Sequence, residues 1–201
     1  ATNPETGEID PNTQTNIPGM EHLQKADLLF ICLRFRELPD NQMKYFDEYL
    51  QSGKPIVALR TSTHAFLYSR NKESVYAKYS YNSKAKNWEN GFGKIVLGET
   101  WVSHHGVHGS EGTRGLINGL SASHPVLKGV KDIWGPTDVY TVKDLGANVN
   151  VLLYGQSSVG MTADAPLSYE KSIMPVAWTK SYQTEKGNTA RIFSTTMGAS
   201  M

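Results

Sequence analysis

Histidines are the residues of this chain whose types and spacing could do chemistry. Three of the six fall in HHGVHG (residues 104–109), and a fourth, His64, ends the polar turn RTSTH (residues 60–64). An imidazole titrates near neutral pH, and its neutral nitrogens bind divalent transition metals. The pattern therefore favours His64 as a general acid or base, and His104 and His108 as ligands of a divalent metal ion.

A metal site at these histidines would need further ligands. Nearby carboxylates such as Glu99 or Glu111 could complete the coordination shell. The spacing matches no recognised zinc pattern, because the adjacent His104 and His105 would point apart in a strand. The alternative is that the glycine-flanked histidines line a loop, where they form structural hydrogen bonds or contact a polar ligand.

Nucleophiles are scarce in the sequence. Ser62 or Thr63 could be activated by His64, but RTSTH lacks the glycines that flank the serine of a nucleophile elbow. Cys32 lies in an apolar run, where a free cysteine usually behaves as a small buried hydrophobe. General acid–base chemistry at His64 is therefore the more plausible of these alternatives.

A buried strand must position the polar turn. Residues 56–59 (IVAL) form a short apolar run, which is typical of a central strand covered on both faces. A second apolar strand is predicted at residues 27–36, followed by a helix with Asp40 at its N-cap and Gly53 at its end. This order predicts a βαβ unit with parallel strands, and open α/β sheets place their sites outside the carboxyl ends of such strands.

The remaining pattern predicts one domain. Further strands are expected at residues 149–154, 174–179 and 190–195, and helical segments at residues 20–26 and 73–79. A length of 201 residues suits a single core.

The net charge and the composition limit the classes of partner that the protein could bind. The formal net charge is only +1 and no basic cluster is present, which argues against a nucleic-acid partner. No apolar run is long enough to span a bilayer. The single cysteine excludes an internal disulfide and leaves the compartment open, so cytoplasmic, periplasmic and secreted locations all remain alternatives.

Five blocks in this order resemble the trehalose-utilisation (ThuA-like) family: GKPIVALRTSTHAF, VLGETWVSHHGVHGSEGTRG, HPVLKGVKDIWGPTDVY, MPVAWTK and RIFSTTMGAS. The resemblance runs from about Ala26 onward. It implies an α/β fold of the class I glutamine amidotransferase kind, a three-layer flavodoxin-like sandwich with a mostly parallel central sheet. It also implies that residues 1–201 form one ThuA-like domain without the family's first strand and C-terminal helix.

The resemblance implies a carbohydrate-related function. The family is linked to disaccharide use through keto-sugars, so a small-molecule carbohydrate is the expected partner, and a homodimer is compatible with the family. His64 would transfer protons, Arg60 would orient substrate oxygens, and His104 and His108 could hold a metal. The expected substrate-binding residues are Arg60, Thr61, Ser62, His104, His105, Trp134 and Tyr140.

Two classes of function follow from these expectations. An amidotransferase carries a cysteine nucleophile in the turn that is RTSTH here, so glutamine hydrolysis is not expected. The first class is a hydrolase or lyase that processes a glycoside or keto-sugar. The second is a non-catalytic sugar-binding or interaction module. The segment from Asp138 to Tyr140 departs from the Asp-Glu pair of other family branches, which leaves a second carboxylate there without an assigned role.

Overall fold

One mixed β-sheet organises the chain in the computed structural model, which describes residues 1–198. The strands in chain order are β1 (Leu29–Ile31), β2 (Ile56–Leu59), β3 (Gly112–Ile117), β4 (Trp134–Gly135), β5 (Val149–Ser158), β6 (Met174–Gln183) and β7 (Thr189–Thr195). They lie side by side in the order β1-β2-β7-β6-β5-β3-β4.

Helical segments in the described residues are mostly short. The α-helix α1 spans Asp40–Gln51 and a π-helix spans Gly93–Leu97. The 3₁₀ helices are Met20–Lys25, Arg60–His64, Ala77–Tyr79, Gly119–Ser121 and Pro125–Leu127. None of the helices in residues 1–198 combines the length and apolar character that a membrane span requires.

The predicted βαβ unit is present. Strand β1 pairs in parallel with β2, with Phe30 opposite Val57, and α1 connects the two strands. The helix forms because Met43, Phe46 and Leu50 recur at helical spacing, and all three are buried. The N-cap is Pro39 rather than Asp40, and Gly53 follows the helix with a left-handed φ of 76°.

The predicted three-layer flavodoxin-like sandwich with a mostly parallel sheet is wrong. Only the pairs β1–β2 and β2–β7 are parallel, whereas β7–β6, β6–β5, β5–β3 and β3–β4 are antiparallel. The physical reason is the nature of the connections, because parallel neighbours need a long crossover that usually contains a helix. The segment predicted to be helical at residues 73–79 forms only the 3₁₀ turn Ala77–Tyr79, and the connections from β5 to β6 and from β6 to β7 contain no helix.

Aromatic residues fill the core on the α1 side of the sheet. The ring of Phe46 meets those of Phe66, Tyr79 and Phe92 at centroid distances of 4.9, 5.8 and 5.3 Å, all edge-on. Such edge-to-face pairs add to the stabilisation that burial alone provides. Buried Trp178 of β6 donates its indole N–H to the carbonyl of Leu97 at 2.7 Å. The π-helix is thereby fixed between the sheet and the turn that follows β2.

Gly93 lets the π-helix approach that turn closely. A Cβ at Gly93 would lie 2.1 Å from the carbonyl oxygen of Thr63, whereas a Cβ at Gly119 would have no neighbour within 4 Å. We therefore expect Gly93→Ala to lower the free energy of unfolding by about 1–3 kcal/mol through overpacking. The matched control Gly119→Ala should leave it nearly unchanged. Urea unfolding curves measure both, and equal midpoints would contradict the close packing.

Candidate functional site

Four segments enclose a cavity of about 390 Å³ at the end of the sheet where β1 and β2 terminate. Three of the segments follow β1, β2 and β4, and the fourth precedes β3. Because β3 and β4 are antiparallel, the start of β3 lies beside the end of β4. The residues that line the cavity are Arg34, Phe35, Arg60, Thr61, His64, Trp101, His104, His108, Thr137 and Tyr140.

Arg60 is the buried anchor of the site. Its Nη1 donates to the backbone carbonyls of Asp138 at 2.7 Å and Thr196 at 2.9 Å, and its Nη2 donates to Oδ1 of Asp138 at 2.9 Å. The guanidinium carbon also lies 3.7 Å from the ring centroid of Tyr140. The backbone of Arg60 has a φ of 42°, a left-handed conformation that non-glycine residues rarely adopt. The surrounding contacts hold the residue in this conformation.

The carboxylate of Asp138 accepts hydrogen bonds from three side chains. Besides Arg60, it accepts Nδ1 of His104 on Oδ2 at 2.6 Å and Nδ1 of His108 on Oδ1 at 2.8 Å. Burial alone would raise the pKa of Asp138, but the hydrogen bonds from His108 and His104 and the charge of Arg60 lower it. Asp138 is therefore a carboxylate that fixes both imidazoles. When Nδ1 donates to Asp138, Nε2 of a neutral ring can accept a proton.

Backbone contacts bring the histidine loop to Asp138. The N–H groups of His105 and Gly106 donate to the carbonyl of Val139 at 2.9 and 3.1 Å, and His104 forms an antiparallel bridge with Tyr140. Gly106 is required here, because a Cβ would lie 2.9 Å from Cβ of Asp138. The loop therefore reaches Asp138 through close backbone packing.

His64 lies in an aromatic and cationic environment. Its ring centroid is 5.0 Å from that of Phe35, 5.5 Å from that of Trp101 and 6.1 Å from that of Tyr140. Burial, followed by the charges of Arg34, Arg60 and His104, lowers its pKa to about 3. His64 is therefore a neutral imidazole at pH 7 that can accept a hydrogen bond but is only a weak base.

The structure brings most of the predicted site residues together. Those that line the cavity are Arg60, Thr61, His64, His104, His108 and Tyr140. Three others lie elsewhere. Ser62 donates to the carbonyl of Ile31 at 2.9 Å and is buried, His105 contacts the carbonyl of Ser172 through Nε2 at 2.8 Å, and Trp134 lies in β4 opposite Arg114.

The carboxylate of the site is not one that the sequence suggested. Glu99 accepts the backbone N–H groups of residues 143 and 144, and Glu111 pairs with Lys171 at 2.6 Å. Asp138 takes their place, although it is 34 and 30 residues from His104 and His108 in the chain. Cys32, expected to be buried, is exposed.

Sequence reasoning missed Arg34 and Phe35 as lining residues. The signal that could have found them is their position just after a strand parallel to β2, at the same end of the sheet.

A metal ion could bind at the His104–His108–Asp138 group. The ligand atoms of these three residues lie within 4.8 Å of one another. Two imidazoles and one carboxylate are a donor set that divalent first-row transition metals accept. The sequence-based prediction of His104 and His108 as ligands therefore gains a third partner.

Comparison with solved structures places the fold. A protein named ThuA-like from Parabacteroides merdae superposes with a TM-score of 0.50 and 17% sequence identity, covering 88% of this chain and 61% of that one. A protein named ThuA-like from Bacteroides uniformis gives a TM-score of 0.48 and 14% identity, covering 94% and 65%. The chain thus spans less than two thirds of the length of either.

The resemblance to ThuA-like proteins is confirmed by the first of these matches at the level of the fold. No family model matches the chain, and no curated protein matches it.

His64 should make the protein less stable as the pH falls. Its pKa of about 3 in the folded chain lies below the ordinary value of 6.5, so between these values the unfolded chain binds a proton that the folded chain does not. The free energy of unfolding must then fall as the pH drops through this range. We expect the thermal midpoint to fall between pH 7 and pH 5, above the range where carboxylates titrate, and His64→Gln to remove most of this dependence.

The control for His64 is the exposed His22. His22→Gln should retain the pH dependence of the parent protein. A His64→Gln variant whose midpoint falls as steeply as that of the parent would show that His64 is not the group responsible.

Loss of Asp138 should be costly because Arg60 would remain buried without a counter-charge. The side chains of Arg60 and Asp138 are 8% and 0% exposed, whereas Asp132 in the Arg114–Asp132 pair is 85% exposed. We expect Asp138→Asn to lower the free energy of unfolding by about 3 kcal/mol or more, and the matched Asp132→Asn by less than about 1 kcal/mol. Urea unfolding measures both values, and similar losses would refute the ranking.

Proposed function

We propose that the cavity binds a disaccharide or keto-sugar and that His104 and His108 process it by proton transfer. The observation that carries the proposal is the pair of imidazoles held by Nδ1 on the buried Asp138, at the wall of an aromatic cavity. Proteins of the same fold that are named ThuA-like support a carbohydrate ligand.

The cavity suits a small polar ring compound. Its volume of about 390 Å³ falls within the range of ligand pockets. Phe35, Trp101 and Tyr140 supply aromatic surface, against which the C–H faces of a sugar can pack. Thr61 and Thr137 supply hydroxyl groups that can donate to or accept from sugar oxygens.

Asp138 prepares the imidazoles for proton transfer. A carboxylate that accepts Nδ1–H holds a histidine in one tautomer and orientation and stabilises the imidazolium that forms on protonation. Nε2 of His104 or His108 can then remove the acidic proton beside the carbonyl of a keto-sugar. The C–H electrons form an enolate, the bond to the glycosidic oxygen at the next carbon breaks, and the imidazolium returns the proton to that oxygen.

His64 and Arg60 have distinct parts in this proposal. His64 remains a proposed catalytic group, and because its pKa of about 3 keeps the ring neutral but only weakly basic at pH 7, it would act as a hydrogen-bond acceptor. Arg60 uses Nη1 and Nη2 on Asp138 and Thr196, so it positions Asp138. Glutamine hydrolysis has no support, because the turn at residues 60–64 carries no cysteine.

A metal-assisted form of the same reaction is the second candidate. The spacing of the ligand atoms of His104, His108 and Asp138 favours it. A divalent ion held there would polarise the substrate carbonyl and stabilise the enolate oxygen. In that case His64 would be the remaining neutral imidazole at the cavity wall, where it could accept a hydrogen bond from the substrate.

Binding and turnover measurements on the same samples test the proposal. Calorimetry with disaccharides and their keto derivatives measures binding, and NMR of the products measures turnover. We expect His104→Gln and His108→Gln to lower turnover by about 10²–10⁴-fold while changing sugar affinity much less. The control is the exposed His22→Gln, which should behave like the parent protein.

Other outcomes separate the alternatives. Turnover that requires Zn²⁺ or Mn²⁺ and stops with a chelator would establish the metal-assisted form. Sugar binding by the parent protein without turnover would favour the non-catalytic module. Failure of every tested sugar to bind would reject the carbohydrate proposal.

A further inference from the structure

Arg34 is a cation of the cavity without an ion-pair partner in the part of the chain that the structure describes. It lines the cavity and is exposed, and no acidic side chain of the described residues lies within salt-bridge distance of it. Its closest aromatic contact is the ring of Phe35, whose centroid lies 6.0 Å from the guanidinium carbon. The donors of Arg34 are therefore available to a ligand.

The other charges of the cavity are already balanced. Arg60 is 7% exposed and directs Nη1 and Nη2 to protein oxygens, and the carboxylate of Asp138 is fully buried against Arg60, His104 and His108. A ligand in the cavity thus meets one uncompensated positive charge, that of Arg34.

We propose that the natural ligand is an acidic sugar whose carboxylate or phosphate pairs with Arg34. This inference rests on the proposed carbohydrate function and adds the charge of the substrate. A guanidinium presents a planar fork of donors that matches a carboxylate or phosphate in a bidentate arrangement. The aromatic wall would hold the sugar ring while Arg34 fixes its anionic end, so that the ring enters the cavity in one orientation.

Calorimetry with matched sugars tests the charge preference. The probes are glucose, glucuronate and glucose 6-phosphate, which share a ring and differ in charge. We expect the better of the two acidic sugars to bind the parent protein at least about tenfold more tightly than glucose, as a charge-assisted hydrogen bond predicts. The preference for glucuronate or for the phosphate identifies the anionic group. Raising the salt concentration should weaken the acidic sugar more than glucose.

Variants test whether Arg34 causes the preference for the acidic sugar. Arg34→Gln should remove the preference for the acidic sugar over glucose, and Arg34→Lys should retain part of it. The control is Arg191→Gln, because Arg191 is also exposed but lies outside this cavity. This variant should keep the full preference.

Each contrary result has a separate meaning. Equal binding of glucose and both acidic sugars, or a preference that survives Arg34→Gln, overturns this inference while the carbohydrate proposal stands. Failure of all three sugars to bind overturns this inference, and the carbohydrate proposal falls with it only if the disaccharides and their keto derivatives also fail to bind.

Discussion

The buried ion pair between Arg60 and Asp138 is the constraint on which the site depends. A guanidinium removed from water must be paired and hydrogen-bonded, and Arg60 meets this requirement with oxygens from two separate parts of the chain. In doing so it joins the turn after β2 to the end of β7 and to the segment after β4. Asp138 completes the arrangement by accepting both His104 and His108. One pair thus fixes the backbone, the carboxylate and the two imidazoles together.

The surroundings of each polar group, more than its residue type, determine what the group can do. His64 and His104 are both histidines, yet His64 is buried among cations and stays neutral, while His104 has a carboxylate partner. Arg34 and Arg60 are both arginines, yet Arg34 is exposed and has no acidic partner within residues 1–198, whereas Arg60 donates to oxygens of the protein. Because of these differences, the proposed catalysis by the imidazoles and the proposed ligand binding by Arg34 are compatible within a single cavity.

The sheet explains why these groups meet. The parallel strands β1, β2 and β7 terminate at the same end of the sheet, and Arg34, Arg60 and Thr196 lie just beyond these termini. The antiparallel pair of β3 and β4 brings the start of one and the end of the other to the same edge. The histidine loop before β3 and Asp138 after β4 are thereby added to the turn that follows β2. A mixed sheet achieves here what the sequence led us to expect of a parallel one.

The sequence by itself determined the local elements: the apolar run of β2, the βαβ unit with its helix, and the polar turn ending in His64 followed by a histidine-rich loop. These follow from periodicity and turn chemistry, which act over a few residues. Only the tertiary structure decided that the sheet is mostly antiparallel, that Ser62 and His105 do not line the cavity, and that Asp138 joins the histidines. Strand pairing and the neutralisation of a buried charge depend on contacts between residues far apart in the chain, and no local pattern records them.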